Sequence, residues 1–102
     1  MDEKQTGLLQ DILDSARQIR HYLSGVTKED FGANLEKQDA VLRRFEIIGE
    51  AASRLSADVQ SLFPGLPFRN MRGMRNIIAH DYGDVDILIE TLQKHFANTG
   101  SG

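Results

Sequence analysis

The sequence predicts one all-α domain, an up-and-down bundle of four to five helices. Three observations carry the fold class. Apolar residues recur at spacings of three and four through most of the chain, no stretch alternates with period two over a strand's length, and glycine and proline fall between the periodic segments. No internal repeat or low-complexity tract interrupts the pattern.

The first helix is marked by Leu8, Ile12, Ala16, Ile19 and Leu23, with Leu9 and Leu13 alongside and Gly25 as its stop. Thr27, followed three residues later by Asp30, resembles a capping box that opens a short turn before Gly32. A second start near Asn34 leads into the long central helix, whose stripe is Val41, Phe45, Ile48, Ala52 and Leu55, widened by Leu42, Ile47 and Ala51. Ser56 is suited to cap a brief helix through Val59, Leu62 and Phe63, closed by Pro64-Gly65 and Pro67. From Phe68 to about His80 another helix is expected, with Phe68, Met71, Met74, Ile77 and Ile78 inward and Gly83 as its end. Asp84 or Asp86 then caps a last helix with Val85, Leu88, Ile89, Leu92 and Phe96 as its buried stripe. The two longest helices are expected to run antiparallel. Residues 1–97 read as the single domain and 98–102 as a small polar tail.

Composition bounds the function. The chain has 102 residues, a formal net charge of −3 and no cysteine. Disulfide scaffolds and cysteine-based zinc sites are thereby excluded. No apolar run approaches the roughly 18 residues needed to span a bilayer, and the charged start MDEKQTGLLQ does not suit a signal peptide, so a cytoplasmic protein without a membrane role is expected. An acidic balance argues against indiscriminate nucleic-acid binding but leaves room for a local basic site.

One stretch concentrates chemistry. Between Arg75 and Tyr82 stand a guanidinium, an amide (Asn76), an imidazole (His80), a carboxylate (Asp81) and a phenol, followed by Gly83. In a regular helix Arg75 and His80 lie about 140° apart, which lines two sides of a cleft better than one flat face. At a helix C-terminus the dipole and Asp81 both favour the imidazolium, which suits His80 to proton transfer. Arg75 is suited to hold a phosphate with its forked donors, and Asn76 to orient a ligand group. These residue types fit RNA cleavage by the RNA's own 2′-hydroxyl. That reaction needs a proton-transfer group and a positive charge for the phosphorane, with no nucleophilic side chain, metal or other cofactor. His80-Asp81 alone also fits a metal phosphohydrolase, but His21 and His95 stand on separate helices without ligand spacing, so no metal site is expected.

The run Arg75-Asn76-Ile77-Ile78-Ala79-His80-Asp81-Tyr82 resembles the R-x4-H-x-Y motif of the HepT-like HEPN toxins. Further blocks resemble that family in the same order: Gln38-Asp39-Ala40-Val41, Phe45 through Ala52, Arg54-Leu55-Ser56, Pro67-Phe68-Arg69 and Gly73-Met74-Arg75-Asn76. The likeness runs from about Leu8 to Phe96. It implies a HEPN bundle that dimerises so that Arg75 and His80 of both subunits meet in one cleft. It also implies a metal-independent endoribonuclease, the toxin of a toxin–antitoxin pair whose minimal nucleotidyltransferase antitoxin modifies Tyr82 with AMP. After Tyr82 the run Gly83-Asp84-Val85-Asp86-Ile87 departs from the family, and a shorter last helix is expected.

Plainer readings stand beside these. Arg75 and His80 also suit a structural pair at a helix end, and Tyr82 a rim tyrosine of the core. Asp39, Arg43 and Glu46 fall at helical spacing, as a solvated salt-bridge ladder or as a polar wall of the cleft. Arg69 and Arg72 suit surface charges, or with Arg75 a cationic edge along an RNA backbone. His21 and His95 have no expected role. From another class comes a catalytically silent helical module that binds a nucleotidyltransferase.

Overall fold

A computed structural model of the chain describes residues 1–72 and 83–99. Six helices appear among these residues: α1 (Glu3–Leu23), α2 (Lys28–Gly32), α3 (Leu35–Arg54), α4 (Ala57–Ser61), α5 (Phe68–Arg72) and α6 (Gly83–Thr99). No strand occurs among them, and the fold is an all-α bundle consistent with the HEPN type.

Local chemistry sets most helix starts. The Asp2 carboxylate accepts from the Gln5 backbone N–H at 2.8 Å, Thr27 Oγ1 from Asp30 at 3.0 Å, Asn34 Oδ1 from Lys37 at 3.0 Å and Ser56 Oγ from Val59 at 3.2 Å. Each side chain satisfies one of the donors that a helix N-terminus leaves without an internal partner. After α1 the chain turns at Gly25, whose φ of +72° is open to glycine without strain. Gln38 ties the end of α2 to α3, its Nε2 donating to the carbonyls of Phe31 at 2.9 Å and Gly32 at 3.1 Å.

α1 is the middle layer, with α3 on one side and α6 on the other, and α5 packs on α3. Leu9, Ile12, Leu13, Ala16 and Ile19 of α1, Val41, Phe45, Ile48, Ala51 and Ala52 of α3, and Val85, Leu88, Ile89 and Leu92 of α6 form one buried core, closed by Leu55, Val59, Phe63, Leu66 and Met71. Burying a side chain of this size contributes about 1.5–3 kcal/mol, so this shared core outweighs any single polar contact.

α1 and α3 run antiparallel, as expected, and their ends are held by one residue. Gln5 Oε1 accepts from the Ser56 backbone N–H at 2.8 Å, and its Nε2 donates to the Arg54 carbonyl at 3.4 Å. The start of α1 is thereby fastened to the end of α3. At the opposite end of α1, Arg20 Nη1 stands 4.0 Å from Asp86 Oδ1 near the start of α6. α6 therefore also runs antiparallel to α1.

α2, expected only as a short turn, is a helix, which makes six among the described residues against the four to five expected, and three further features differ from the sequence reading. Gly83 is the first residue of α6, so Asp84 and Asp86 fall within its first turn rather than capping it, and the expected end of the preceding helix lies outside the described residues. Acidic residues are favourable there because the helix N-terminus carries partial positive charge. Leu62, expected on the apolar side of α4, is 62% exposed, because Phe63 takes the inward position and stacks edge-on against His95 of α6. α6 runs to Thr99, two residues into the segment read as a tail.

Two substitutions test this account. Phe45→Ala empties the centre of the core and should cost about 3–5 kcal/mol of unfolding free energy in urea. Gln5→Ala should cost about 1 kcal/mol, the ordinary net value of a hydrogen bond, with an unchanged dependence on urea.

Candidate functional site

The chemistry-bearing run follows the described part of α5, and the expected continuation of this helix to about His80 lies outside the described residues. α5 starts behind a tight turn in which Leu66 donates to the Phe63 carbonyl at 3.0 Å and Phe68 to the Leu66 carbonyl at 2.9 Å. The Pro67 carbonyl then accepts from Met71 at 2.9 Å, so Pro67 opens the helix from the position just before its first turn. Met71 is fully buried, and Arg69, about 200° around the helix from it, is exposed to solvent. Arg72 is the last residue of α5. Its side chain, and Arg75, Asn76, His80 and Tyr82, lie outside the described residues.

The run 73–82 is bracketed by two residues fixed in the core. Met71 lies two residues before it and Val85 three residues after it, 0% and 2% exposed. Its two ends therefore depart from the α3 side and the α6 side of the same domain.

Asp39, Arg43 and Glu46 line an exposed face of α3. Arg43 Nη1 lies 3.7 Å from Glu46 Oε2, a pair one turn apart. Both side chains are largely in water, where such a pair is worth at most about 1 kcal/mol. The neighbouring Glu50–Arg54 pair, at 2.8 Å, continues the same ladder. These charges are thus free to serve a ligand without being needed by the fold.

The other two histidines play different parts. His21 stands exposed on α1, its ring 6.1 Å from Tyr22. His95, half-buried on α6, meets Phe63 and Phe96 edge-on, both at 5.1 Å, and so takes part in packing. Among the described residues no group of three or more His, Cys, Asp or Glu is gathered to hold a metal ion. Nor is any helix among them long and apolar enough to cross a membrane. The sequence reading overlooked the Arg20–Asp86 contact, whose members are too far apart in the chain for periodicity to pair them.

The family model described as "Ribonuclease HepT-like" matches residues 12–99, nearly the whole bundle and all of the run 75–82. The chain belongs to the HepT-like ribonuclease family. A protein of Thermococcus cleftensis named "Probable ribonuclease HepT" is 34% identical over 89 residues, covering 87% of this chain and 81% of that protein. A protein of Methanocaldococcus jannaschii, provisionally named an RNase, is 36% identical over 81 residues, covering 79% of this chain and 74% of its own length. One of Caldanaerobacter subterraneus subsp. tengcongensis, also provisionally named an RNase, is 31% identical over 88 residues, 84% of this chain and 79% of that one. No solved structure gives a significant match. Membership in the family gives the Arg75-to-Tyr82 run its context, since the match extends across the run and the helices on either side of it.

Because the Arg43–Glu46 pair is solvated, Arg43→Ala and Glu46→Ala should each change unfolding free energy by less than about 0.5 kcal/mol in urea titrations.

Proposed function

We propose that the chain is a metal-independent endoribonuclease, the toxin of a toxin–antitoxin pair, acting as a homodimer in the cytoplasm. The observation that carries this reading is the R-x4-H-x-Y run at Arg75, His80 and Tyr82 in a chain that matches the ribonuclease family model from residue 12 to 99. In the proposed reaction the RNA 2′-oxygen attacks the adjacent phosphorus and the 5′-oxygen leaves. A 2′,3′-cyclic phosphate remains on one fragment and a 5′-hydroxyl on the other. His80 of one protomer takes the 2′ proton, and its counterpart in the second protomer delivers a proton to the departing oxygen. Arg75 stabilises the charge that develops on the phosphorane, and Asn76 orients the phosphate. Arg69 and Arg72 follow the backbone on either side of the cut, and Asp39, Arg43 and Glu46 form a polar wall of the cleft.

A dimer supplies what one chain lacks. Each protomer offers one Arg75 and one His80, and a two-fold axis beside them doubles the proton-transfer groups without lengthening the chain. The tyrosine is the control point. Its phenol oxygen attacks the α-phosphorus of ATP on a nucleotidyltransferase partner, pyrophosphate leaves, and AMP remains on Tyr82. The added phosphodiester brings negative charge beside Arg75, where it competes with the RNA phosphate.

Purified chain should cleave RNA in EDTA to products ending in 2′,3′-cyclic phosphate. His80→Ala and Arg75→Ala should each lower the rate by about 10²- to 10⁴-fold while the circular dichroism stays unchanged. Activity that persists in His80→Ala, or that vanishes in EDTA and returns with a divalent ion, overturns the mechanism. A chain that binds the nucleotidyltransferase but leaves RNA intact is instead an interaction module. Incubation with the nucleotidyltransferase and ATP should place AMP on the wild-type chain and not on Tyr82→Phe, as read by mass spectrometry, with loss of cleavage.

A further inference from the structure

At the end of the bundle where α1 finishes and α6 begins lies a cavity of about 320 Å³, lined by Ile19, Arg20, Leu23, Ser24, Val85 and Asp86. Its floor is apolar: Ile19 and Val85 are buried and Leu23 half-buried. Its rim is ionic. The Arg20 and Asp86 side chains, 53% and 64% exposed, approach only to 4.0 Å, beyond hydrogen-bonding distance, so each keeps donors or acceptors unused.

We infer that this cavity receives one unpaired guanine base of the RNA, an inference that rests on the ribonuclease reading above. The volume is at the lower end of the range for small-ligand sites and suits a single base with part of its ribose. The apolar floor meets the face of the ring. The carboxylate of Asp86 offers two acceptor oxygens, and guanine is the RNA base whose Watson–Crick edge presents two neighbouring donors, N1–H and N2–H₂. Arg20, beside it, donates to the guanine O6. The other bases set an acceptor against one of the carboxylate oxygens and lose part of this match. Reading an unstacked base at its edge is the ordinary route to sequence selection in single-stranded RNA.

The cavity is also within reach of the cleavage chemistry by chain length alone. Val85 is five residues from His80, a span of at most about 18 Å even for a fully extended chain. A base in the cavity therefore belongs to a nucleotide close to the phosphate being cut. The site thus sets which phosphates are presented, while Arg75 and His80 act on whichever one arrives.

The test measures binding and cleavage separately. Fluorescein-labelled oligouridine carrying a single central guanosine, adenosine or cytidine is titrated with the His80→Ala chain, which leaves the RNA intact, and read by fluorescence anisotropy. The guanosine oligomer should bind about tenfold more tightly than the others, within the range of discrimination that a bidentate base contact provides. Asp86→Asn, which replaces one acceptor by a donor, should erase that preference while leaving binding to oligouridine unchanged. Leu23→Trp, which fills the cavity, should do the same. Asp86 is exposed, so its variant decides the question alone if Leu23→Trp fails to fold by circular dichroism. In the wild-type background the same substitutions should disperse the cut sites without abolishing cleavage. RNA cleaved by the wild type with no guanine preference, or a preference that survives Asp86→Asn, overturns the cavity assignment and leaves the ribonuclease reading standing. Failure of the wild type to cleave any RNA removes the ribonuclease reading, and this inference falls with it.

Discussion

The antiparallel seam between α1 and α3 is the constraint on which the rest of the molecule depends. Leu9, Ile12 and Ile19 face Val41, Phe45 and Ile48, and every other helix is placed by where it meets this pair. α6 packs on the free side of α1, and α5 packs on α3. Because α5 and α6 hold the two ends of the run 73–82, the seam also fixes where the chemistry-bearing segment leaves and rejoins the domain. Gln5 locks the register of the seam with two hydrogen bonds at one end. A slip of one turn along α3 would break both and misalign two apolar stripes at once, so packing and polar contacts select the same register.

What could be read from the sequence follows from how local each cause is. The caps at Thr27, Asn34 and Ser56 act over three residues, and all three were legible. The stripes of α1 and α3 were legible because each helix is long enough for the 3.6-residue period to repeat several times. The start of α6 was read late because Asp84 and Asp86 look like caps, whereas acidic residues are also favoured inside the first turn of a helix. Leu62 misled because one turn of helix gives too few repeats to choose between adjacent apolar residues. The Gln5 clasp and the Arg20–Asp86 rim were invisible, each joining residues brought together only by the fold. Of the candidate site, the residue types were legible in the Arg75-to-Tyr82 run. Asp39, Arg43 and Glu46 share a face that the periodicity alone places, and their exposure is what the structure adds.

A thin helical domain suits the proposed reaction, whose nucleophile is supplied by the substrate. Ribose 2′-oxygen and phosphorus are already joined through two carbons, so the protein has no need to build a nucleophile with its own oriented base and a deep pocket. The proposed mechanism asks proton transfer and charge stabilisation of it instead. Two side chains on a short run can provide both, provided the run is held at its ends. Met71 and Val85 provide that hold within the described residues, each wholly or almost wholly buried.

Charge distribution explains how an acidic chain can still be addressed to RNA. Three of the twelve basic residues, Arg69, Arg72 and Arg75, and none of the fifteen acidic ones fall between residues 59 and 80. With the histidines neutral that stretch carries +3 and the remainder of the chain −6. Residues 15–28 carry the same +3, from Arg17, Arg20 and Lys28 with no acidic residue, so a polyanion is repelled by most of the sequence and drawn to two parts of it. At physiological ionic strength the field of exposed charges decays over about 8 Å, so this contrast acts as a local guide, not a long-range attraction. The proposed AMP on Tyr82 adds a negative charge seven residues from Arg75, at the edge of the first of these stretches. One small modification then acts on the stretch that holds Arg75 itself, and leaves the second basic stretch, at Arg17, Arg20 and Lys28, unchanged.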